Sequence, residues 1–414
     1  MSGMGDVQGS DDVDDVLIAG GGQVGLALAL ALKRSAPDLA VTLVDAEPGG
    51  TRRAGRASTI TAGGRQLLER LGVWPAVADA AQPVNEMIIT DSRTRDVARP
   101  VFLTFPMAGA DGMPTAHVVP DGDVVAALRE AAGDAGVTLI AGDAVKDFGV
   151  DEAEVAVTTR NGETHAARLL VAADGARSRL RSLAGITTVG WSYGQSGIVA
   201  TVAHERPHNG RAEEHFLPGG PFAILPMKGN RASLVWTEPT ATAERLVNGD
   251  RLVLESELER RFGHRLGTFE LVDEARAFPL SLAMARHFVK PRLALVGDAA
   301  HTVHPIAGQG LNLGYRDVAA LAETIVEAHR LGLDIGALTV LERYQSWRRY
   351  DTMEMLAVTD TLNRLFSNDN PALRILRDVG LGVVDRLPQL KAWFVGEAAG
   401  STGAAPRLLR GEAI

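Results

Sequence analysis

The chain has 414 residues, 46% of them hydrophobic, and carries a net charge of −9 with a pI near 5.6. That acidic balance excludes the basic footprint on which nucleic-acid binding depends. With no cysteine, disulfides, zinc–thiolate sites and redox-active thiols are excluded as well.

Residues 1–13 are acidic and polar and read as a disordered tail. They lack the basic start and apolar core of a signal peptide and the Arg-rich composition of a transit peptide, so a cytoplasmic protein is expected. The apolar run Val16–Ala19 reads as a strand. It leads straight into Gly20, Gly22 and Gly25, spaced G-x-G-x-x-G, and then into an amphipathic helix. The longest uncharged run, Val16 to Leu32, is too short and too glycine-rich for a membrane span. A second strand, Ala40–Val44, ends in Asp45, twenty residues past Gly25. This is a dinucleotide-binding pattern: the glycines allow a tight turn, a close pyrophosphate and close helix packing, and the acid binds a ribose hydroxyl. Gly380-Leu381-Gly382 lacks the third glycine and reads as a turn.

A helix ends near Gly72, and residues 84–115 carry strand-like patterns such as Met87–Ile89 and Val101–Leu103. Asp123–Gly133 reads as a helix leading into a strand at 137–140. Residues 153–160 and 165–173 form a hairpin around Asn161-Gly162, and its second strand ends in Asp174-Gly175. Residues 186–240 are β-like, 241–264 helical and 271–280 strand-like. The run Leu293–Val296 is a buried strand ending in Gly297-Asp298. It is followed by Pro305, by Gly308, Gly310 and Gly314, and by a helical pattern from about Leu311. A strand that stops at an acid, then a glycine-rich turn feeding a helix N-terminus, suits an anionic cofactor. His301 and His304 stand three apart, a metal-ligand spacing on a helix. With no clear helix and no carboxylate-rich partner there, no metal is expected.

Three motifs at residues 20–25, 174–175 and 297–298 together resemble the group A flavoprotein aromatic hydroxylases, which have the p-hydroxybenzoate hydroxylase fold. The resemblance narrows to the ubiquinone-biosynthesis hydroxylases (UbiH/UbiF-type). It is carried by Gly55–Ile60, by PFAILPM at 221–227, by LVWTEP at 234–239 and above all by HTVHPIAGQGLNLGYRD at 301–317. It runs from about residue 14 to residue 411, with two departures: Tyr315, where Leu is commoner, and Pro120-Asp121-Gly122-Asp123, where the family often has an Asn near the start of the helix. It implies an α/β fold: a Rossmann-like FAD-binding domain interleaved with a substrate domain built on an antiparallel β-sheet, plus C-terminal helices. The expected division is 14–82, 116–185 and 281–345 for the FAD domain, 83–115 and 186–280 for the substrate domain, and 346–414 for the helical region.

The resemblance also implies chemistry. NAD(P)H reduces FAD, O2 adds at flavin C4a, and the hydroperoxide passes oxygen to a polyprenyl phenol, an intermediate of ubiquinone synthesis. Expected cofactor-binding residues are Gly20, Gly22, Gly25, Asp45, Arg56, Asp174, Gly297, Asp298, Gly310, Leu311 and Asn312, the last two through backbone N–H groups. Pro305 and Gly308 are expected to border the reactive flavin face. Tyr193, His204 and His215 are candidates for helping deprotonate the phenol, each more readily structural; Trp236 reads as core. Arg316 and Asp317 read equally as functional or as helix-solvating. An apolar substrate implies contact with the inner membrane or a biosynthetic complex, and Arg374–Gly396 has the spacing of an interfacial helix. The alternatives are a hydroxylase of a small soluble aromatic, an NAD-dependent dehydrogenase without flavin, and a non-catalytic lipid-binding subunit.

Overall fold

In the computed structural model, residues 13–48, 56–91, 101–109, 112–305, 308–366 and 405–414 are described. The expected tail, the turn at Gly380 and the interfacial segment 374–396 lie outside them, apart from Val13.

The amino-terminal pattern folds as its periodicity dictates. Strand Asp14–Ala19 passes through the glycine turn into helix Gln23–Ser35 and on to strand Val41–Asp45. All five residues of Val41–Asp45 are buried, as in a parallel sheet covered on both faces. Residues 25–32 of the helix are buried too, because helices Asp121–Asp134 and Gln309–Arg330 pack over it. The parallel heart of this first, eight-stranded sheet runs, in spatial order, Leu293–Leu295, Thr164–Ala172, Asp14–Ala19, Val41–Asp45, Thr138–Ala141. Val155–Thr159 and Val145–Val150 extend it as antiparallel strands. Three of the five central strands come from sequence far apart, so the first sheet is assembled from separated segments.

The second sheet has nine strands and is built around the long strand Thr188–His204. Its order is His301–Thr302, Arg276–Ala285, Thr188–His204, Arg231–Pro239, Gly220–Met227, Arg211–Leu217, Glu86–Asp91, Val101–Pro106, with Phe269–Leu271 as the ninth strand, paired to the end of Thr188–His204. It is antiparallel as expected with one exception: Arg211–Leu217 runs parallel to Glu86–Asp91. Those two strands are joined by more than a hundred residues, so no hairpin constrains their direction. Residues 241–264, read as one helix, form two, Thr240–Asn248 and Arg251–Phe262. The break falls at Gly249, and the Asp250 side chain caps the second helix by accepting from Leu252 N at 2.8 Å. Both helices pack on one face of the sheet, around Ile198, Phe222, Leu234 and Trp236.

A small third sheet, Ala57–Thr61 with Ala116–Pro120 and Gln82–Pro83, lies between the two larger ones. Helix Leu338–Phe366 crosses residue 346 without interruption. The last ten residues return to the first sheet: Leu408, Leu409 and Ile414 join the core around it, and Arg407 N donates to Glu323 at 2.9 Å.

Candidate active site

The three motifs of the sequence become neighbours at one edge of the first sheet. Ala19, Ala172 and Leu295 stand in register on adjacent parallel strands. The chain leaves them through Gly20, through Asp174-Gly175 and through Gly297-Asp298. Ligands of open α/β sheets bind at such carboxyl ends. Backbone geometry explains the glycines. Gly20 has φ +117°, and a Cβ there would stand 2.3 Å from Ala173 O. A Cβ on Gly25 would stand 1.9 Å from Gly20 O, and one on Gly21 2.3 Å from the Asp45 carboxylate.

Two helices begin at this edge. Gln23–Ser35 starts at Gly22 and Gln309–Arg330 at Gly308, which has φ +64°. Neither start has a side-chain cap or an acidic residue in its first turn. Each therefore offers backbone N–H groups and the positive end of a dipole to an anion or an electron-rich ring edge. The helices meet closely: a Cβ on Gly314 would lie 2.6 Å from Val24 Cγ2.

The carboxylates are arranged around these N–H groups. Asp298 is exposed, yet desolvation by the surrounding protein raises its pKa above the usual carboxylate range, against the opposing charges of His301 and Arg56. Contact with solvent inside a desolvating surround places it in a cleft, with the Arg56 charge acting across it. Asp174 Oδ2 accepts from Leu180 N at 3.2 Å, while its buried Oδ1 has no partner among the described residues. Asp45 is buried and ion-paired to Arg129 of the helix Asp121–Asp134. A ribose hydroxyl at Asp45 would share the carboxylate with Arg129.

The two departures from the family pattern belong to one chain of contacts. The Tyr315 hydroxyl donates to Gln23 Oε1 at 2.7 Å, and Gln23 Nε2 donates to Asp121 Oδ1 at 3.2 Å. Arg56 Nε lies 3.1 Å from Asp121 Oδ2. The Asn312 side chain is fully engaged. Its Oδ1 accepts from Thr61 N and Oγ1, both at 3.0 Å, and its Nδ2 donates to Thr59 O at 2.9 Å and Gly308 O at 3.2 Å. Its backbone N–H is the first donor of the helix ladder, to the carbonyl of the cap residue Gly308, so the N–H groups the helix leaves open precede it, among them Gly310 and Leu311. Pro305 is half-buried, and its carbonyl accepts from Gly308 N at 3.0 Å. Gly310 has only ordinary contact, 3.6 Å from a built Cβ to Val303.

Other singled-out residues sort differently. His301 lies in a two-residue strand and pairs with Asp317 at 2.6 Å. Among the described residues no cluster of three or more metal-ligating side chains occurs. Asp317 does not solvate its helix: it is wholly buried, accepts from Gly297 N at 2.9 Å and pairs with the buried Arg348 at 2.8 Å. Arg316, also buried, stands 3.9 Å from Asp351. Nothing in local sequence marked the His301–Asp317–Arg348 group, because its members come from three elements. His304 is fully buried, with both ring nitrogens lacking partners among the described residues, and burial lowers its pKa to about 4. Tyr193 donates to Asp360 at 3.0 Å, and burial followed by that hydrogen bond raises its pKa far above the ordinary value. His204 pairs with Arg206 O at 2.8 Å, and His215 sits between Thr90 and Glu213. Trp236 is core, its Nε1 donating to Glu238 at 2.8 Å.

The recess fits a flavin dinucleotide on its own terms: uncapped helix starts, glycines where backbone must stay bare, and a carboxyl oxygen without a partner. Comparison with known proteins agrees. The FAD binding domain family model matches residues 14–357. Ubiquinone hydroxylase UbiL of Rhodospirillum rubrum is 44% identical, covering 99% of this chain and 96% of that one. The 3-demethoxyubiquinol 3-hydroxylase of Escherichia coli is 37% identical, with 91% and 96% covered. In fold, p-nitrophenol 4-monooxygenase PnpA from Pseudomonas putida superposes with a TM-score of 0.81 at 21% identity, covering 95% of this chain and 99% of that one. The convergence of three strand-end motifs and these full-length likenesses point the same way, and the chain belongs to the ubiquinone-biosynthesis hydroxylases of the FAD-binding monooxygenase family.

Proposed function

We propose that this protein uses NAD(P)H and O2 to hydroxylate the aromatic ring of a polyprenyl phenol, with 2-polyprenyl-6-methoxyphenol as the favoured substrate. The observation that carries the reading is the meeting of Gly20–Gly25, Asp174 and Gly297-Asp298 with the uncapped start of helix Gln309–Arg330. FAD, once bound, supplies the redox and oxygen-transfer chemistry.

The protein's part is to bind, orient and exclude water. In this reading Gly22 and the first turn of Gln23–Ser35 take the pyrophosphate, Asp45 a ribose hydroxyl, and Asp174, Asp298 and Arg56 the remaining polar length of the cofactor. Backbone N–H groups at Gly310 and Leu311 face the ring edge, where they favour the negative charge of the reduced state, and Asn312 braces that turn through its side chain. Pro305 and Gly308 form the wall on the reactive side, keeping it dry. No helix among the described residues is long and apolar enough to cross a membrane; the substrate would be collected by peripheral contact with a membrane or a biosynthetic complex.

The deciding experiment is the quinone-intermediate profile of a deletion strain. Accumulation of the 6-methoxyphenol supports the favoured substrate, and a different species reassigns the ring position. Competition by p-hydroxybenzoate in vitro would instead favour a small soluble aromatic.

Two outcomes are expected from purified protein. The chain has no cysteine for a thioether link, so acid precipitation should leave the flavin in the supernatant; flavin in the pellet contradicts noncovalent binding. Gly308→Val should uncouple. The residue has φ +64°, and a Cβ there already stands 3.2 Å from Thr59 Cβ. A β-branched residue therefore strains the backbone and shifts the wall. Oxygen transfer needs the ring carbon at near-attack distance, roughly 3–3.5 Å, whereas flavin reduction does not. Product per NADH should fall several-fold while hydrogen peroxide rises. An unchanged ratio would make this loop mere packing.

A further inference from the structure

Strand Arg211–Leu217 alternates across the second sheet. Glu213 and His215 point to the face covered by helices Thr240–Asn248 and Arg251–Phe262, where Leu217 joins their core. Ala212, Glu214 and Phe216 point the other way. Ala212 packs there with Ala57, Leu103, Phe105, Val118 and Met227. Ala57 opens the strand Ala57–Thr61, whose Thr59 side chain lies against the Gly308 position. Glu214 is thus on the sheet face turned toward the reactive wall. Its cross-strand neighbours are Ile89 and Ala223.

Glu214 is buried, 4% exposed, and burial is the single influence on its carboxyl, with no hydrogen bond or charge from the described residues acting on it. Lone burial of a carboxylate is costly, and a core carboxyl normally has a partner. An apolar side chain would serve packing better. The unmet requirement points to a group the described residues do not supply.

Resting on the reading that the substrate is a phenol, we propose that Glu214 hydrogen-bonds the ring hydroxyl and takes its proton, making it a catalytic residue of the hydroxylation. The phenol O–H bond breaks, its electron pair stays on the phenol oxygen, and the proton moves to a Glu214 carboxylate oxygen. Electron density rises at the ring carbons ortho and para to that oxygen, which is what an electrophilic oxygen atom needs. The ring carbon that received the oxygen then loses its hydrogen as a proton to solvent, the C–H electron pair restores aromaticity, and the Glu214 proton returns to the phenol oxygen. Burial alone holds the Glu214 pKa up to about 8. An ordinary carboxylate lies roughly six pKa units below a phenol near 10; at about 8 the gap is roughly two. The other candidates are weaker. His304 is depressed to about 4, Tyr193 is committed as a donor to Asp360, and His204 to Arg206 O. His215 is on the opposite face.

The test compares wild type with Glu214→Gln, Glu214→Asp and Glu214→Leu, using a short-chain prenylated phenol as probe. Three quantities are read: product per NADH, the pH profile of product formation, and the melting temperature with flavin occupancy. The proposal expects Glu214→Gln and Glu214→Leu to hold FAD and melt no lower than wild type, because an unpaired buried acid has been removed. Product formation in wild type should rise as pH passes about 8 and the carboxyl ionises; in Glu214→Gln and Glu214→Leu it should fall about 100-fold or more and lose that rise. Glu214→Asp should recover part of both. Wild-type turnover and pH profile in Glu214→Gln would overturn the proposal, as would losses that merely track lost flavin or lost stability. If wild type itself gives no response to the probe while small soluble phenols stimulate it with the Glu214-dependent pH profile, the substrate class is wrong and the role of Glu214 stands.

Discussion

Asp317→Ala should be the most damaging single change among the residues described. The carboxylate is wholly buried and holds three groups: Gly297 N at 2.9 Å, His301 Nε2 at 2.6 Å and Arg348 Nε at 2.8 Å. Burial works to raise its pKa, but the charges and hydrogen bonds of His301 and Arg348 outweigh it, so the pKa is lowered. Removing the acid leaves the wholly buried Arg348 without its principal counter-charge and orphans Gly297 N–H. Breaking a buried pair from one side costs about 3–5 kcal/mol. The lost Gly297 contact also frees the turn carrying Asp298, so FAD occupancy should fall with the melting temperature. The pH response follows from the sign. A lowered folded-state pKa gives stability that is present above the unfolded value of 3.8 and is lost as pH falls through the folded value. Wild type should therefore lose this contribution in acid, whereas the alanine variant has none to lose. Replacing both partners, as Asp317→Leu with Arg348→Met, should cost less than Asp317→Ala alone. A double variant at least as unstable as the single one, measured by chemical denaturation, would contradict this account.

Gly25→Ala should abolish most FAD binding and also destabilise the apoprotein. The added methyl would stand 1.9 Å from Gly20 O and 3.3 Å from Ala173 Cβ. Neither can yield cheaply: Gly20 is itself fixed at φ +117° against Ala173 O, and the two residues directly follow adjacent strands of the central sheet. The helix Gln23–Ser35 must move outward, taking its N–H groups with it. Overpacking of this kind costs about 1–3 kcal/mol, and a helix start displaced from an anion should weaken binding at least about tenfold, or 1.4 kcal/mol. Gly310→Ala is the informative contrast. There a methyl meets only Val303, at 3.6 Å, so apoprotein stability should hold while flavin affinity falls if that edge faces the ring. Thermal melts of both apoproteins, with flavin titrations beside them, separate the two effects. Undiminished affinity in Gly25→Ala would mean the glycine turn is not part of the cofactor site.

Sequence by itself determined the elements and the motifs at their ends. Strand Asp14–Ala19, helix Gln23–Ser35 and strand Val41–Asp45 were legible because apolar periodicity and glycine placement are local properties. The Asp174 and Gly297-Asp298 turns were legible for the same reason. Tertiary structure alone decided what those motifs share. Strands Leu293–Leu295, Thr164–Ala172 and Asp14–Ala19 are neighbours only once the sheet is assembled. Only then do Asp45 and Arg129 pair, does Asp317 reach Gly297, His301 and Arg348, and do Tyr315, Gln23, Asp121 and Arg56 join. The spacing of His301 and His304 would suit a metal on a helix, but the sequence there has no clear helical pattern, and the chain is strand and loop. Glu214 was invisible in AEEHFL, where it stands beside another glutamate. A carboxylate's chemistry is set by its surroundings, and which face of a strand is dry depends on what the rest of the chain lays over it.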